Sequence, residues 1–432
     1  MNNNQTTGLK RKKRKIFYGW WVVVAVFICL FLDYALRYSF GVFFKPLVEE
    51  FGWSRAQTSL IFSLHMGVYA PSAFFWGWVS DRLSARFILS LGCAITGIAA
   101  ALMYFCDSLG EAFLFFSILT PLGTGAIYVP GASTIGKFFR RKRGLALGVI
   151  STAVGLSYIW SPVAERLIYF YGWRAAYLIS GILVSSIGIA FSWGLVRSSP
   201  EELGLFPDGE NTGTGERSSV VSESLLSVEN GLSKLLKVSS VLPIWFLNFM
   251  FMFAVLGFYI VNTHMVPYAI DMGIDPARAA SALAFLGIFS VAGRIGLGAI
   301  SDKIGRATIF YLSFIFQGAG IAILLFIKAG FILPFYLGAF ILGIGYGGRV
   351  TQFPAVIGDI YGPARMGKLI GMNTFFGNLF GATLGPWLGG YIYDFTGTYT
   401  LAFLTGITAS FAAVFLSIFL FRYIKKKCKL DL

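Results

Sequence analysis

Long apolar segments alternate with short polar segments along most of the chain. A helix needs about 20 apolar residues to cross the hydrocarbon core of a membrane, and twelve segments reach or approach that length. Charged residues and turn residues separate them. The pattern therefore predicts an all-α membrane protein with 12 transmembrane helices. Their expected limits are 16–44, 55–79, 86–106, 111–136, 143–170, 174–196, 242–268, 279–300, 307–327, 331–357, 366–390 and 399–423.

One polar connection, between the sixth and seventh apolar segments, is much longer than the rest. It begins with Ser198-Ser-Pro-Glu-Glu202, continues with Pro207-Asp-Gly209 and then becomes rich in Ser and Glu. This composition predicts a linker between two bundles of six helices. The expected units are a basic tail, a first bundle, the linker, a second bundle and a second basic tail, with limits 1–15, 16–196, 197–241, 242–423 and 424–432.

The two halves of the chain repeat one another. Gly77-Trp-Val-Ser-Asp81 follows the second segment and Gly298-Ala-Ile-Ser-Asp302 follows the eighth, so that the two aspartates are 221 residues apart. Three further landmarks recur after 223 to 225 residues, and they are Gly144 with Gly367, Pro162 with Pro386, and Gly172 with Gly397. Six helices return the chain to the side where it started. We therefore expect two bundles in parallel orientation, with a transport site between them.

The composition agrees with a membrane protein and excludes most soluble classes. Of the 432 residues, 56% are hydrophobic and only 13% are charged, and the mean hydropathy is +0.72. Soluble proteins carry about 25% charged residues, so this chain has too little charge to cover the surface of a soluble enzyme. We therefore expect no enzymatic activity and no cofactor. The four cysteines lack the spacing of metal ligands, so we also expect no metal site.

Lys and Arg are distributed unevenly between the two sides of the predicted helices. The net charge is +15, and 26 of the 35 basic residues fall in the two tails and the even-numbered connections, against 6 in the odd-numbered connections. By the positive-inside rule, both termini should be cytoplasmic. The basic tails then face the headgroups of membrane lipids rather than nucleic acid. We expect a multi-pass monomer in the cytoplasmic (inner) membrane.

Three arginines lie inside predicted helices, where an unpaired charge costs at least about 2.5 to 3.5 kcal/mol. Arg294 stands in the middle of the eighth span, and its planar guanidinium matches a carboxylate. It either binds a substrate anion or forms an interhelical ion pair. Arg349, in the glycine-rich tenth span, is a second candidate for binding an anion or forming a cytoplasmic gate. Snorkelling to the membrane interface is the alternative for this residue.

Asp33 and Arg37 share one face of the first span, because they are four residues apart. In one interpretation, the two charges neutralise each other. In the functional alternative, Asp33 takes up a proton and thereby releases Arg37 to bind an anion. His65 in the second span and His264 in the seventh are further candidates for proton coupling, because imidazole titrates near neutral pH. Hydrogen-bonded helix packing is the alternative for both histidines.

Two loop sequences resemble the loop signature of the major facilitator superfamily. They are Asp81-Arg-Leu-Ser-Ala-Arg86, in which Ser84 replaces the signature glycine, and Asp302-Lys-Ile-Gly-Arg306. Three further stretches narrow the resemblance to the monocarboxylate transporters and their bacterial relatives, which include oxalate/formate antiporters. These stretches are Gly19-Trp-Trp21, Phe51-Gly-Trp-Ser-Arg55 and Gly172-Trp-Arg-Ala-Ala-Tyr177. The resemblance implies the major facilitator fold and transport by alternating access.

The resemblance also implies roles for single residues. In the monocarboxylate branch, an arginine at the position of Arg294 binds the substrate carboxylate. Tyr128 and Asn373 lie on the fourth and eleventh spans, which flank the pathway in the superfamily, so they become candidates for orienting the anion. Human members carry an aspartate where this chain has Ser290, and their proton relay therefore cannot be transferred unchanged.

Charges of the duplicated loops are candidates for gating. Asp81, Arg82, Asp302 and Lys303 lie at predicted cytoplasmic helix ends. Charge pairs there can hold that side closed and break when it opens. Anchoring of the topology by positive charge is the alternative interpretation.

The sequence thus predicts a secondary transporter of a small organic anion, with a monocarboxylate and proton symport as the favoured form. The first alternative is an oxalate/formate-type or dicarboxylate exchanger, which would use Arg294 with Arg37 or Arg349 and return a counter-anion. A membrane sensor that transports nothing is a remote alternative.

Overall fold

The computed structural model describes residues 17–80, 82–209, 241–328 and 331–428. Within these ranges it leaves out the side chains of residues 209, 241, 302, 363–365, 367, 427 and 428. The first predicted tail, most of the predicted linker and the end of the second tail therefore lie outside the described residues.

Helices build both halves. In the first half they are α1 (Gly19–Tyr38), α2 (Phe40–Phe51), α3 (Arg55–Val79), α4 (Ala85–Leu102), α5 (Leu109–Ala112), α6 (Thr120–Phe138), α7 (Arg143–Leu156) and α8 (Trp160–Leu195). In the second half they are α9 (Val241–Asp271), α10 (Pro276–Ile304), α11 (Arg306–Leu324), α12 (Leu333–Tyr361), α13 (Pro363–Phe376), α14 (Thr383–Thr396) and α15 (Thr400–Cys428). Short 3-10 or π turns at 103–105, 113–119, 157–159 and 377–382 join several of them.

Among the residues that the structure describes, eight helical stretches are long and apolar enough to cross a membrane. They are Gly19–Phe51, Ala85–Phe105, Leu109–Phe138, Arg143–Leu195, Leu242–Asp271, Pro276–Ser301, Arg306–Leu324 and Thr400–Lys426. The predicted class, an all-α membrane protein, is thereby confirmed. The number of 12 spans and the cytoplasmic position of the termini stay predictions.

Local sequence signals explain where several helices begin. At α3, the Ser54 side chain accepts a hydrogen bond from the N–H of Gln57, and the Gln57 side chain accepts one from the N–H of Ser54. This capping box satisfies donors that have no partner within the helix. Asp275 caps α10 by accepting from the N–H of Arg278, and Pro276 occupies the first turn, where its missing N–H is not needed.

The helices pack in the same order in the two halves. In the first half, α3 and α4 pack on α6, while α4 and α1 pack on α8. In the second half, α10 and α11 pack on α12, while α11 and α9 pack on α15. The repeated Gly172 and Gly397 both have positive φ, at 81° and 71°, a conformation that favours glycine. The sequence repeat therefore corresponds to a repeat of helix packing, and each half has a glycine of positive φ at the repeated position.

The connections meet at two opposite ends of the helices. At one end, Arg174 pairs with Glu50 and Asp107 and donates to the carbonyl oxygen of Cys106. At the other end, the Ser198 side chain accepts from the N–H of Ala85 at 3.1 Å. Following the predicted topology, we call the first the outer end and the second the inner end.

Asp208 fastens the start of the linker to the connection between α6 and α7 at the inner end. Its carboxylate accepts hydrogen bonds from the backbone N–H groups of Arg140 at 2.9 Å, Arg141 at 2.8 Å and Lys142 at 3.4 Å. Burial alone would raise the pKa of the Asp208 carboxyl, but the three donors outweigh it and hold this pKa below its usual value. The carboxylate is therefore charged over the whole neutral range.

Glycines bring α10 and α12 into backbone contact. A Cβ on Gly347 would overlap the carbonyl oxygen of Ser290, and a Cβ on Gly293 would overlap that of Ile344. Small residues at such positions let two helices approach closely. Arg294 and Arg349 therefore stand on helices whose backbones touch.

A different set of glycines faces open space. A Cβ on Gly144 or Gly148 of α7, or on Gly371 of α13, would meet no atom of the described residues within 4 Å. Gly144 is one of the repeated landmarks, and Gly148 and Gly371 follow Gly144 and its counterpart Gly367 by four residues, near the inner end. In this conformation they serve no close packing.

Candidate functional site

Arg294 is buried where the two halves meet, with 6% of its surface exposed. Its Nη1 donates to the carbonyl oxygen of Ser151 on α7, and its guanidinium carbon lies 5.5 Å from the ring centre of Tyr346 on α12. Its Nε has no hydrogen-bond partner among the described residues. None of the ion pairs between described residues includes Arg294. The interhelical ion pair that the sequence allows is thus not formed within the described part of the chain.

Arg349 lies beside the same tyrosine. Its guanidinium carbon is 5.2 Å from the ring centre of Tyr346 and 5.2 Å from that of Phe258. The residue is 1% exposed, and its Nε and Nη1 have no hydrogen-bond partner in the described ranges. It is therefore enclosed between helices, and it does not snorkel to the interface in this conformation.

Four tyrosines line the boundary between the halves. The hydroxyl of Tyr38 on α1 lies 3.4 Å from that of Tyr346 and 3.5 Å from that of Tyr259, both in the second half. The Tyr38 ring stacks on Tyr158 at 4.4 Å, and the Tyr158 hydroxyl donates to Asn262 Oδ1 at 2.7 Å. We call Tyr38, Tyr158, Tyr259 and Tyr346 the tyrosine cluster. It connects the two halves through hydroxyl groups that can also bond an anion.

Arg37 reaches the same region from the first half. Its guanidinium carbon lies 4.2 Å from the ring centre of Tyr69 and 5.3 Å from that of Tyr34, and its Nη2 donates to the Met66 sulfur at 2.6 Å. Aromatic rings stabilise a desolvated cation by about 2 kcal/mol. The Nε and Nη1 atoms have no partner among the described residues. Rings and a thioether therefore surround this cation, and donors remain for a ligand.

Asp33 is buried one helical turn away, with 1% of its surface exposed. Its Oδ1 accepts a hydrogen bond from Thr124 at 2.9 Å, while its Oδ2 has no partner among the described residues. The spacing to Arg37 allows a local ion pair, but none forms between the two in this conformation. Two side chains of α3 explain the difference, because Met66 and Tyr69 contact the guanidinium instead.

The two histidines lie in different places. His65 Nδ1 is 3.0 Å from the carbonyl oxygen of Phe116, and its Nε2 has no partner within the described ranges. His264 lies toward the outer end, with Nε2 2.8 Å from the carbonyl oxygen of Pro386 and Nδ1 3.2 Å from the Tyr399 hydroxyl. Both rings are buried. His264 has both nitrogens engaged in helix packing, whereas His65 keeps one nitrogen available.

Tyr128 and Asn373 do not group together. Tyr128 is half-buried and close enough to Arg294, Tyr69 and Tyr346 to interact with all three electrostatically. Asn373 is buried and donates to Asn248 Oδ1 on α9 at 3.1 Å. Tyr128 therefore belongs to the neighbourhood of the arginines, while Asn373 joins two helices of the second half.

Only part of the predicted gating set can be placed. Asp81 and the side chain of Asp302 lie outside the described residues. Arg82 is exposed, and its guanidinium carbon lies 4.1 Å from the ring centre of Trp78. Lys303 is exposed at the end of α10.

The arrangement favours a negatively charged ligand. Arg37, Arg294 and Arg349 present N–H groups without hydrogen-bond partners in the described ranges, and tyrosine hydroxyl groups lie between them. The three arginines can be identified from the sequence, because they are charged residues inside apolar segments. The tyrosine cluster cannot be identified in this way. The chain has 20 tyrosines, and hydropathy does not reveal which of them face the other half.

Comparison with known sequences gives one family. The sequence profile of the Major Facilitator Superfamily matches residues 26–380 and 297–428. Monocarboxylate transporter 12 of Homo sapiens is 26% identical over 378 residues, which are 83% of this chain and 72% of that protein. Monocarboxylate transporter 2 of Homo sapiens is 27% identical over 368 residues, with coverage of 83% and 76%.

Two solved transporter structures share the fold of this chain. A bacterial homologue of the human lysosomal transporter Spinster, inward-facing and unoccupied, superposes with a TM-score of 0.69 at 16% identity, over 95% of this chain and 97% of that one. The nucleoside transporter NupG superposes with a TM-score of 0.69 at 16% identity, over 93% of this chain and 100% of that one. At these identities the likeness concerns the fold alone.

Proposed function

The chain belongs to the Major Facilitator Superfamily, and from this premise we propose that it is a secondary transporter of a small organic anion that works by alternating access. The favoured cargo is a monocarboxylate, and the favoured driving force is proton symport. Similarity to monocarboxylate transporters 12 and 2 supports the cargo class. We place the protein in the cytoplasmic membrane as a monomer among membrane lipids.

One observation carries the proposal, namely that the buried Arg294 has no acidic partner among the described residues. A buried guanidinium with open donors is unfavourable unless an acceptor arrives. A carboxylate supplies two parallel acceptors that match the guanidinium. Arg294 belongs to the second half and its Ser151 contact to the first. An anion bound there would touch both halves, as a cargo must in alternating access.

Asp33 is the proposed proton carrier, with His65 and His264 as alternatives. When Asp33 is ionised, it cancels part of the positive field of the three arginines, and when it is protonated this field acts fully on an anion. Proton binding and anion binding then strengthen each other, because such coupling is reciprocal. This linkage is what symport requires. Tyr128 is proposed to orient the anion beside Arg294, and Asn373 to support α13 through Asn248.

The charged residues of the two repeated loops are proposed to form a gate at the inner end. Asp81 with Arg82, and Asp302 with Lys303, occupy the repeated loop signature of the two halves. The proposal for these residues rests on the signature and on its duplication.

Uptake into proteoliposomes tests the proposed function. Purified protein would be reconstituted, and a panel of labelled carboxylates including lactate and pyruvate would be offered with and without an inward proton gradient. We expect at least one of them to accumulate only when the gradient is present. Absence of gradient-dependent uptake across the panel would reject monocarboxylate–proton symport.

A second candidate is an exchanger of dicarboxylates or of oxalate and formate. The observation that favours it is the pair of arginines on one ring, since Arg294 and Arg349 lie 5.5 Å and 5.2 Å from the ring centre of Tyr346. Two guanidiniums so placed match an anion with two charged ends, such as oxalate, a dicarboxylate. Counterflow that requires an internal anion and ignores the proton gradient would favour this candidate.

A further inference from the structure

Ion pairs tie the two halves together at the outer end. The Asp271 carboxylate at the end of α9 lies 2.8 Å from Arg55 Nη2 and 3.2 Å from Lys45 Nζ. Both cations belong to the first half. The side chains are between 12% and 24% exposed, so water screens these pairs only in part.

A helix of the first half is capped by an acid of the second half. Asp394 near the end of α14 accepts hydrogen bonds from the N–H of Arg55 at 2.9 Å and from the N–H of Ala56 at 2.7 Å. These are the first two residues of α3, whose N–H groups have no partner within the helix. A carboxylate at a helix N-terminus also interacts favourably with the helix dipole. Separation of the halves would therefore take this acceptor away from the N–H groups of Arg55 and Ala56, while the Ser54–Gln57 capping box would remain.

The Arg55 side chain is held by aromatic residues of the second half. Its guanidinium carbon lies 3.9 Å from the ring centre of Tyr393, and its Nη1 donates to the Tyr399 hydroxyl at 2.7 Å. Tyr399 lies 3.2 Å from His264 Nδ1, and His264 Nε2 lies 2.8 Å from a backbone carbonyl oxygen. Since a carbonyl only accepts, Nε2 carries the hydrogen and Nδ1 accepts from Tyr399. A directed chain of hydrogen bonds thus runs from Arg55 into the second half.

The helix backbones also approach each other along this line. A Cβ on Gly390 of α14 would overlap the carbonyl oxygen of Arg55 and the side chain of Ser59. One turn further in, the N–H of Trp387 donates to the Ser63 hydroxyl at 2.9 Å. Contact between α3 and α14 therefore extends from the outer end toward the middle of the helices.

We propose that Arg55, Asp271 and Asp394, with Gly390 as the point of backbone contact, form an outer gate that is closed in this structure. Opening toward the outside would break the two ion pairs of Asp271 and the two hydrogen bonds from the start of α3 to Asp394 together. The gate is distinct from the loop-signature charges, which lie at the other end of the helices. The inference rests on alternating access from the proposed function, but not on the identity of the cargo.

Distances across the outer end test the gate without any cargo. Spin labels would be attached to cysteines introduced by Glu49→Cys and Thr398→Cys, both exposed positions on opposite halves. Cys428 would be replaced by serine, while Cys29, Cys93 and Cys106 are buried. Double electron–electron resonance of the full chain in lipid nanodiscs then gives the ratio of open to closed molecules.

Three variants carry the test. Asp271→Asn and Asp394→Asn each remove charge from the gate, and the loss of a charge-assisted bond should raise the ratio of open to closed about tenfold. Gly390→Ala should raise it through steric overlap. The matched control is Asp107→Asn, because Asp107 pairs with Arg174 at the same end but within one half.

The outcomes separate clearly. A longer label distance in both aspartate variants, with the control unchanged, supports the gate. Distances in the aspartate variants that equal those of the control overturn it, even if Gly390→Ala fails to fold. Because no cargo is added, a failure to transport carboxylates would leave this result standing, and the two proposals can fail independently.

Discussion

Replacement of Arg294 by lysine is the sharpest test of the anion site. Arg294→Lys keeps the positive charge but replaces the planar fork with a single ammonium group. The site offers few other partners to the side chain, because Nη1 contacts only the Ser151 carbonyl and Nε has no partner among the described residues. The change therefore acts mainly on the way in which a carboxylate can be held.

The size of the effect follows from the loss of one of two parallel hydrogen bonds to the carboxylate. A hydrogen bond to a charged group contributes about 1.5 to 3 kcal/mol. At 1.4 kcal/mol for each factor of ten, affinity should fall about 10- to 100-fold. The overall charge of the site is unchanged, so electrostatic attraction at longer range is kept.

The assay is ligand-induced thermal stabilisation of the purified protein, with a dissociation constant fitted for each carboxylate of the panel. Arg166→Lys is the matched control, since Arg166 is exposed on α8. We expect the control to bind as the native chain does. If Arg294→Lys bound the same carboxylates with undiminished affinity, the guanidinium fork would have no role in holding the cargo, and the proposed site would be refuted.

Four further predictions concern the same site and the packing around it. Arg294→Gln should raise the melting temperature while abolishing ligand stabilisation, because it removes a buried charge without a protein acid. Asp33→Asn should abolish proton-driven uptake in proteoliposomes while exchange of anions continues, because the amide cannot cycle a proton. Gly347→Ala should lower thermal stability by about 1 to 3 kcal/mol through overpacking, whereas Gly371→Ala should not. Asp208→Asn should lower amide-exchange protection of residues 140–142 at neutral pH.

Each of these predictions has a contradicting outcome. A lower melting temperature for Arg294→Gln would mean that the charge is satisfied within the protein. Unchanged proton-driven uptake in Asp33→Asn would mean that another residue couples the proton to transport. Equal stability of Gly347→Ala and Gly371→Ala would mean that Gly347 is not needed for the contact between α10 and α12. For Asp208, the folded pKa is lowered, so its stabilisation is complete above the unfolded pKa of about 3.9 and is lost as pH falls through the lower folded value. A protection difference that persists below that range would contradict the carboxylate assignment.

Hydropathy predicts helix positions well where a span has clear boundaries. The predicted span 55–79 coincides with α3, because Ser54 and Gln57 form a recognisable cap. The predicted span 16–44 ends too early, since α2 continues to Phe51 after a break at Ser39. The apolar surface of α2 extends into contact with α9 of the other half, and a pattern along one helix cannot show where such a contact ends.

The site is predictable only in its charges. A lone arginine in an apolar helix is visible in the sequence, so Arg37, Arg294 and Arg349 are found. The sequence cannot show that Met66 and Tyr69 hold Arg37 away from Asp33, because the choice depends on how α3 packs on α1.

The outer contacts are missed for a related reason. Asp271 and Asp394 stand beside turns, where acidic residues are common, and only the fold brings them both to Arg55. Their partners are more than 200 residues away in the chain, so no local pattern connects them.

The empty surroundings of Gly144 and Gly148 leave room for a second shape of the molecule. At Gly390, the missing side chain lets α3 lie in direct contact with the backbone of α14. On α7, no atom of the described residues lies in the space above Gly144 and Gly148. A helix that approached α7 at these two glycines would displace none of the described atoms there. The same fold thus has a glycine surface in close contact on α14, at the outer end, and an uncovered glycine surface on α7, at the inner end.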